Sequence, residues 1–170
     1  MSILRIPVWI LACAFLAYSV SAHAIGAAGD TPWPAQATVN LGLTLGATLD
    51  GEGRPVVRGE LVVSNPSDTA LTIQDATNRL VLAFLVFDAL GNPVAPQGTW
   101  KTDPAFATRT LGARGTYTHP LGTLDFVTGS IQQSYTFKRG QTYRVIAVYR
   151  PAGPNGPGFT SQEVKLHIPE

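Results

Sequence analysis

The stretch Val39-Asn40-Leu41-Gly42-Leu43-Thr44-Leu45 decides the fold class, because an apolar residue occupies every second position in it. Side chains along a β-strand point alternately to the two faces of a sheet, so a period of two predicts a strand with one buried face. The same alternation returns over residues 57–63 and 143–149. Nowhere does the sequence carry a sustained stripe at the spacing of an amphipathic helix, and it therefore predicts an all-β domain.

Turn-forming residues divide the chain after residue 36 into short strands. Gly, Pro, Asn and Asp concentrate in Asp50-Gly51-Glu52-Gly53, in Asn65-Pro66-Ser67-Asp68 and in Asp88-Ala89-Leu90-Gly91-Asn92. Strands separated about every 8–12 residues by such turns are typical of a two-sheet sandwich. We therefore predict an antiparallel β-sandwich of about seven to nine strands over residues 37–170. The run 80–87 is apolar on both faces, which predicts a central strand covered on two sides.

The first 24 residues have the pattern of a cleavable export signal. Arg5 precedes an apolar run, and Ala22-His23-Ala24 places small residues where a signal peptidase reads them, which predicts cleavage before Ile25. The apolar run, about 15 residues long, is shorter than the roughly 20 residues that a membrane span needs. A less favoured alternative is lipidation at Cys13, because Ile10-Leu11-Ala12-Cys13 loosely resembles a bacterial lipobox.

Removal of this signal changes the composition of the chain. The signal contains one arginine, no acidic residue and the only cysteine, so the remaining 146 residues carry 11 basic and 11 acidic side chains. The lack of net charge argues against a phosphate-binding surface, because nucleic-acid binders carry a basic patch or stripe. Export without cysteines fits the bacterial periplasm or secretion, with no transmembrane span after cleavage. Residues 25–36, which contain two glycines and two prolines, are expected to form a flexible lead-in.

Little in the remaining sequence suggests catalysis or metal binding. His119 and His167 lie far apart without a nearby ligand partner, and we expect both to face solvent from strands. Asp50 and Glu52 fit a turn better than a calcium site. Neither a Gly-x-Ser-x-Gly elbow nor a phosphate loop is present. The sequence therefore predicts a protein that is not an enzyme and needs no metal or cofactor, with an unrecognised hydrolase as an alternative.

Two loops are the candidate sites for a partner. Trp100, in the loop 96–105, forms either a lid over one end of the sandwich or an exposed anchor, since tryptophan is common at the energetic centres of interfaces. The loop 151–158 is uncharged, rich in Pro and Gly, and long enough to reach a groove. The candidate partner-binding residues are Trp100, Lys101, Asp103, Pro154 and Asn155.

The segment Phe137-x-x-Gly140-x-x-Tyr143 resembles the tyrosine corner of immunoglobulin-like folds. In that corner a tyrosine near the start of a late strand is buried, and its hydroxyl bonds to backbone a few residues upstream. Glycine three residues earlier permits the sharp turn between the sheets. The alternative is an ordinary hairpin turn followed by a core tyrosine.

Several motifs together are similar to the BsuPI-type intracellular proteinase inhibitor domain. They are the pattern Phe84-x-Val86-x-Asp88-x-x-Gly91-x-x-Val94 with Trp100 beyond it, the turn Leu111-Gly112-Ala113-Arg114-Gly115, and the corner formed by Gly140 and Tyr143. The strand end Leu61-Val62-Val63-Ser64-Asn65-Pro66-Ser67-Asp68 resembles one that is common in immunoglobulin-like bacterial domains. The resemblance covers residues 57–150 and implies an immunoglobulin-like sandwich and proteinase inhibition. It identifies no inhibitory residue position by position, and the export signal departs from an intracellular family.

The sequence as a whole favours an exported, non-catalytic, immunoglobulin-like module that binds another envelope protein. The main alternative is a proteinase inhibitor that presents a loop at the end of the sandwich, either 96–105 or 151–158, to a protease.

Overall fold

A computed structural model describes residues 33–76, 80–98, 107–122, 126–128 and 131–170. Within these ranges the chain forms strands and no helix. The strands are β1 (Asn40–Leu49), β2 (Pro55–Ser64), β3 (Leu71–Gln74), β4 (Leu82–Phe87), β5 (Thr108–Leu111), β6 (Thr116–Leu121), β7 (Phe126–Thr128), β8 (Ile131–Gln133), β9 (Thr142–Tyr149), β10 (Phe159–Thr160) and β11 (Val164–His167). Eight of them have four residues or more, and the all-β prediction is confirmed.

The strands form two main antiparallel sheets. The first has the order β1-β2-β6, and in the second β9 pairs with β4 on one edge and with β10 and then β11 on the other. Two further pairs, β3 with β5 and β7 with β8, complete the described strands. The chain passes from the first sheet to the second at β4, returns to the first at β6 and ends in the second with β9, β10 and β11. This crossing between two antiparallel sheets is usual in immunoglobulin-like sandwiches, so the predicted antiparallel β-sandwich is confirmed.

Alternate residues of both sheets fill one shared core. Leu61 of β2, Phe84 of β4 and Val145 of β9 are buried in it, and Leu41 of β1 packs against it half-buried. In β9 every second side chain is buried, beginning with Tyr143. Full burial of one such aliphatic or aromatic side chain contributes about 1.5–3 kcal/mol, so the period of two in the sequence identifies side chains that stabilise the fold.

The prediction for residues 80–87 was wrong about the position of that strand. Among the described strands β4 pairs only with β9, and Leu85 on its outer face is 46% exposed. A loop covers its other edge, where Val94 N–H donates to the Val86 carbonyl over 2.8 Å and the Tyr135 hydroxyl donates to the Phe84 carbonyl over 2.7 Å. Apolar residues on both faces of β4 therefore mark an edge strand with an apolar outer surface.

The turns after β1 and β4 are built in the same way. One carboxylate oxygen of Asp50 accepts from the N–H groups of Glu52 and Arg54, and one of Asp88 accepts from those of Leu90 and Asn92, all over 2.8–2.9 Å. The bonds from Arg54 lower the pKa of Asp50. Asp50 therefore closes a turn, as its sequence context predicts.

The last strand is broken by a β-bulge. Three residues separate β10 from β11, whereas two residues separate the positions of β9 that pair with them. At the bulge Ser161 N–H donates to the Ala147 carbonyl and Ser161 Oγ accepts from the Ala147 N–H, both over 3.0 Å. The serine side chain thus replaces a ladder acceptor that the extra residue displaces.

The segment before β9 places Tyr143 at the base of the core. Tyr143 is buried, its hydroxyl accepts from the Lys138 N–H over 2.9 Å, and its ring meets Phe137 edge-on at 4.9 Å. Gly140 has a φ of 69°, and a Cβ there would lie 2.6 Å from a carboxylate oxygen of Glu170. The turn between these residues therefore requires glycine, and the tyrosine hydroxyl holds the chain that enters β9.

Candidate binding surface

The outer face of the second sheet carries an apolar patch. In the β4–β9 ladder Leu85 lies opposite Ile146, and Ala83 lies opposite Val148. Partners across an antiparallel ladder point to the same face, so these four side chains form one surface, which we call the apolar face. Ala83, Ile146 and Val148 are partly exposed, and Leu85 is the most exposed of the four.

Cationic side chains border the apolar face at both ends. Arg144 lies between Phe87 and Lys165 in the ladders of β9, with its guanidinium carbon 5.5 Å from the centre of the Phe87 ring. Arg150 follows β9 at the other end, and the Arg144 guanidinium lies 3.3 Å from the carboxylate of Glu163. The border therefore has an excess of positive charge around an apolar centre.

The outer face of the first sheet has a different character. The polar Thr44, Thr48, Arg58, Glu60 and Thr118 are exposed there, and the apolar Val56 and Val62 among them are only partly exposed. Polar outer residues are usual for an antiparallel sheet with one face in solvent. Exposed apolar patches with a polar rim mark interaction sites, so the contrast between the two sheets singles out the second one.

The loop residues named from the sequence fall into two groups. Trp100, Lys101 and Asp103 lie outside the described residues. Pro154 and Asn155 are exposed, and their loop folds into two successive turns. Gly153 N–H donates to the Arg150 carbonyl in the first turn, and Gly156 N–H donates to the Gly153 carbonyl in the second, each over 3.0 Å. The structure therefore brings Pro154 and Asn155 to the surface together.

Trp33, in the predicted lead-in, and Phe159, at the start of β10, lie side by side. Their ring centres are 6.3 Å apart, and the Trp33 indole N–H donates to the Ala37 carbonyl over 3.1 Å. Both side chains pack against the core. The described part of the predicted lead-in, 33–36, thus lies against the sandwich at Trp33.

The structure also assembles a polar cluster that the sequence did not indicate. The Tyr117 hydroxyl lies 2.8 Å from one carboxylate oxygen of Asp75 and 3.0 Å from Nδ1 of His119, and Arg109 pairs with the other oxygen of Asp75. The Arg109 guanidinium also stacks 3.7 Å from the centre of the Tyr117 ring. Asp75, Arg109, Tyr117 and His119 together are called the polar cluster below.

The expectation that His119 faces solvent was wrong. His119 lies opposite Leu61 in the β2–β6 ladder, so its side chain points to the core side of the edge strand and is half-buried. Residues two apart on a strand point to the same face. The apolar Tyr117 and Leu121 on either side of His119 were therefore the one sign in the sequence that His119 faces inward. His167 is exposed, as expected.

Burial dominates the electrostatics of the polar cluster. It raises the pKa of Tyr117 to about 12, with the hydrogen bond to Asp75 adding to the effect, and it lowers the pKa of His119. The single proton of the Tyr117 hydroxyl is therefore donated to Asp75, and His119 Nδ1 must carry the proton that it donates to the Tyr117 oxygen. Charge is paired and hydrogen-bonded within the cluster, which fastens β3 and β5 to β6.

Acidification is expected to destabilise the fold through His119. Because the pKa of His119 is lower in the folded state, the folded protein binds fewer protons, and its stability falls as the pH drops through the ordinary value of about 6.5. His119→Gln should flatten the dependence of the unfolding free energy on pH between about pH 7 and pH 5, as measured by urea denaturation. The matched control is His167→Gln at the exposed histidine. Equal slopes for His119→Gln and the unsubstituted protein would contradict this account.

Comparison with known proteins adds no family to these observations. No protein-family model matches the sequence, and no curated protein matches it either. Within the described ranges no group of three potential metal ligands occurs. A search of the same residues for a helix long and apolar enough to span a bilayer finds none.

Proposed function

We propose that this chain is an exported, non-catalytic module that binds another envelope protein through the apolar face. The observation that carries the proposal is the exposed Leu85 beside Ile146, set between Arg144 at one end and Arg150 at the other. An apolar centre inside a charged rim is the usual anatomy of a protein interface. The partner that fits is a protein surface with an apolar centre and an acidic border.

Export is the part of the proposal that rests on the first 24 residues. The basic start, apolar run and Ala22-His23-Ala24 site direct the chain across a membrane, and the absence of cysteine after residue 13 suits a bacterial envelope. We also propose, from the motifs quoted above, that the chain belongs to the BsuPI-type inhibitor family. The immunoglobulin-like connectivity of the sheets supports this proposal.

Proteinase inhibition is the second candidate function. Exposure of Pro154 and Asn155 at the tip of the loop 151–158 favours it, together with the buried Pro151 that fixes the base of that loop. Hydrogen-bonded turns make this loop preorganised, which lowers the entropy lost on binding. An inhibitor of this kind would act through the loop and would not need the apolar face.

Site-specific photocrosslinking in the native envelope distinguishes these functions. A photoreactive amino acid at Leu85 should give a discrete crosslinked protein, whereas the same probe at Thr118, on the outer face of the first sheet, should not. Arg144→Glu together with Arg150→Glu should abolish the adduct formed at Leu85. Equal adducts at both positions, or none at Leu85, would contradict the proposal. Stoichiometric inhibition of a purified protease that is lost in Asn155→Ala would favour the second candidate instead.

A further inference from the structure

The two main sheets have four edges among the described residues, and three of these edges carry features that prevent pairing with another strand. The edge of β6 contains Pro120, which offers no N–H. A loop with Val94 covers the edge of β4, and the edge formed by β10 and β11 is interrupted by the bulge at Ser161 and carries the charged Lys165. Proline, coverage, bulges and charges are the devices by which native sheets protect their edges.

The fourth edge, formed by β1, carries no proline, charged side chain or bulge in the described part of the chain. β1 runs for ten residues in continuous register with β2. In the described part of the chain, no strand pairs with its outer edge. Leu41, Leu43 and Leu45 are half-buried along it, so an apolar row accompanies the free edge. A long uncharged edge of this kind is a template for a further strand.

The turn that follows β1 fixes which backbone groups are free. Asp50 N–H donates to the Arg54 carbonyl, which makes Asp50 and Arg54 a hydrogen-bonded pair. Because such pairs alternate in an antiparallel ladder, the even-numbered residues of β1 bond to β2. The odd-numbered residues from Leu41 to Leu49 therefore direct N–H and C=O groups outward.

We propose that β1 pairs with β1 of a second copy of this chain, antiparallel and about a two-fold axis. The three-stranded first sheet of each copy then becomes half of one six-stranded sheet. The occupant is a second copy because β1 itself supplies the matching segment. It is extended, uncharged and apolar at every second position, so two-fold pairing sets no like charges opposite each other. A two-fold contact is self-complementary and closes at two copies.

The most symmetric register is centred on Leu45. It sets Leu41 opposite Leu49 and Leu43 opposite Ala47 of the second copy, and it uses all the outward N–H and C=O groups of these residues. Thr44 then lies opposite Gly46 of the second copy in a pair without direct hydrogen bonds. In such a pair the Cα atoms are about 4.5 Å apart, within the range that a disulfide spans.

The mass of the purified protein in solution tests the dimer. Light scattering after size exclusion should give twice the mass of one chain, and Ala47→Pro should halve it, because proline removes an outward N–H and no bond to β2. Gly46→Ala, a neighbouring change that keeps every N–H, should remain dimeric. A monomeric parent protein, or Ala47→Pro that folds and stays dimeric, would overturn the proposal.

Disulfide trapping tests the same pairing without proline. In a Cys13→Ser background, a mixture of Thr44→Cys and Gly46→Cys chains should oxidise to a mixed dimer in high yield. Neither variant alone should do so in the register centred on Leu45. Absence of every crosslink in a correctly folded mixture would count against pairing of β1 with β1. A parent protein that is monomeric, and whose β1 edge binds an added extended peptide in place of a second copy, would also count against it.

Discussion

Replacing Gly59 with alanine is expected to lower the free energy of unfolding by about 3 kcal/mol. Gly59 lies in β2, the central strand of the first sheet, opposite Leu45 on one side and Leu121 on the other. A Cβ at this position would lie 1.9 Å from the Thr44 carbonyl oxygen and 2.9 Å from a methyl group of Leu45. A side-chain methyl can rotate away, but a backbone oxygen moves only with its strand, so β1 must separate from β2.

Gly46→Ala is the matched control for this prediction. Gly46 lies in β1, close to the same place, and a Cβ there would have nothing within 4 Å. An alanine at an unstrained glycine position stabilises a protein by about 0.4–1 kcal/mol through the unfolded state. Denaturant unfolding of both variants should therefore give changes of opposite sign. Equal and small changes would show that β1 does not pass so close over Gly59.

The fold was predictable because period-two burial is local. The alternation in residues 39–45 and 143–149 predicts which side chains point inward without knowledge of any other strand. Both segments lie in strands that contribute to the shared core. The same local pattern does not say which strand lies beside which. The run 80–87 therefore predicts a central strand, whereas in the structure the chain returns as a loop at Val94 and covers one edge of β4.

The candidate surfaces depended on register and were harder to predict. Ile146 and Val148 were evident as the outer positions of their strand, but the apolar face exists only because β4 places Leu85 and Ala83 beside them. The polar cluster joins residues from position 75 to position 119. No spacing rule connects Asp75 with Arg109 before the pairing of β3 with β5 is known, so the cluster that His119 joins could not be predicted from the sequence.

Asn65→Asp is expected to lower the free energy of unfolding by about 3 kcal/mol at neutral pH. Asn65 is 2% exposed, and its amide N–H groups donate to the carbonyls of Thr69 over 2.7 Å and Gly112 over 2.9 Å. Its oxygen accepts from the N–H and the hydroxyl of Ser67. An aspartate carboxylate can still accept the hydrogen bonds from Ser67, but it cannot donate to the carbonyls of Thr69 and Gly112. It also places a buried negative charge beside those two carbonyl oxygens.

The pH dependence of this loss distinguishes charge from shape. Burial beside carbonyls raises the pKa of the introduced carboxyl, and in its protonated form it can donate to one of the two carbonyls. The difference in unfolding free energy between Asn65→Asp and the parent should therefore shrink from pH 7 to pH 4. Asn155→Asp, the same change at an exposed site, should cost little at either pH. A loss at Asn65 that is constant with pH would mean that packing of the turn, and not its hydrogen bonds, holds the Asn65–Thr69 segment against the turn at Gly112.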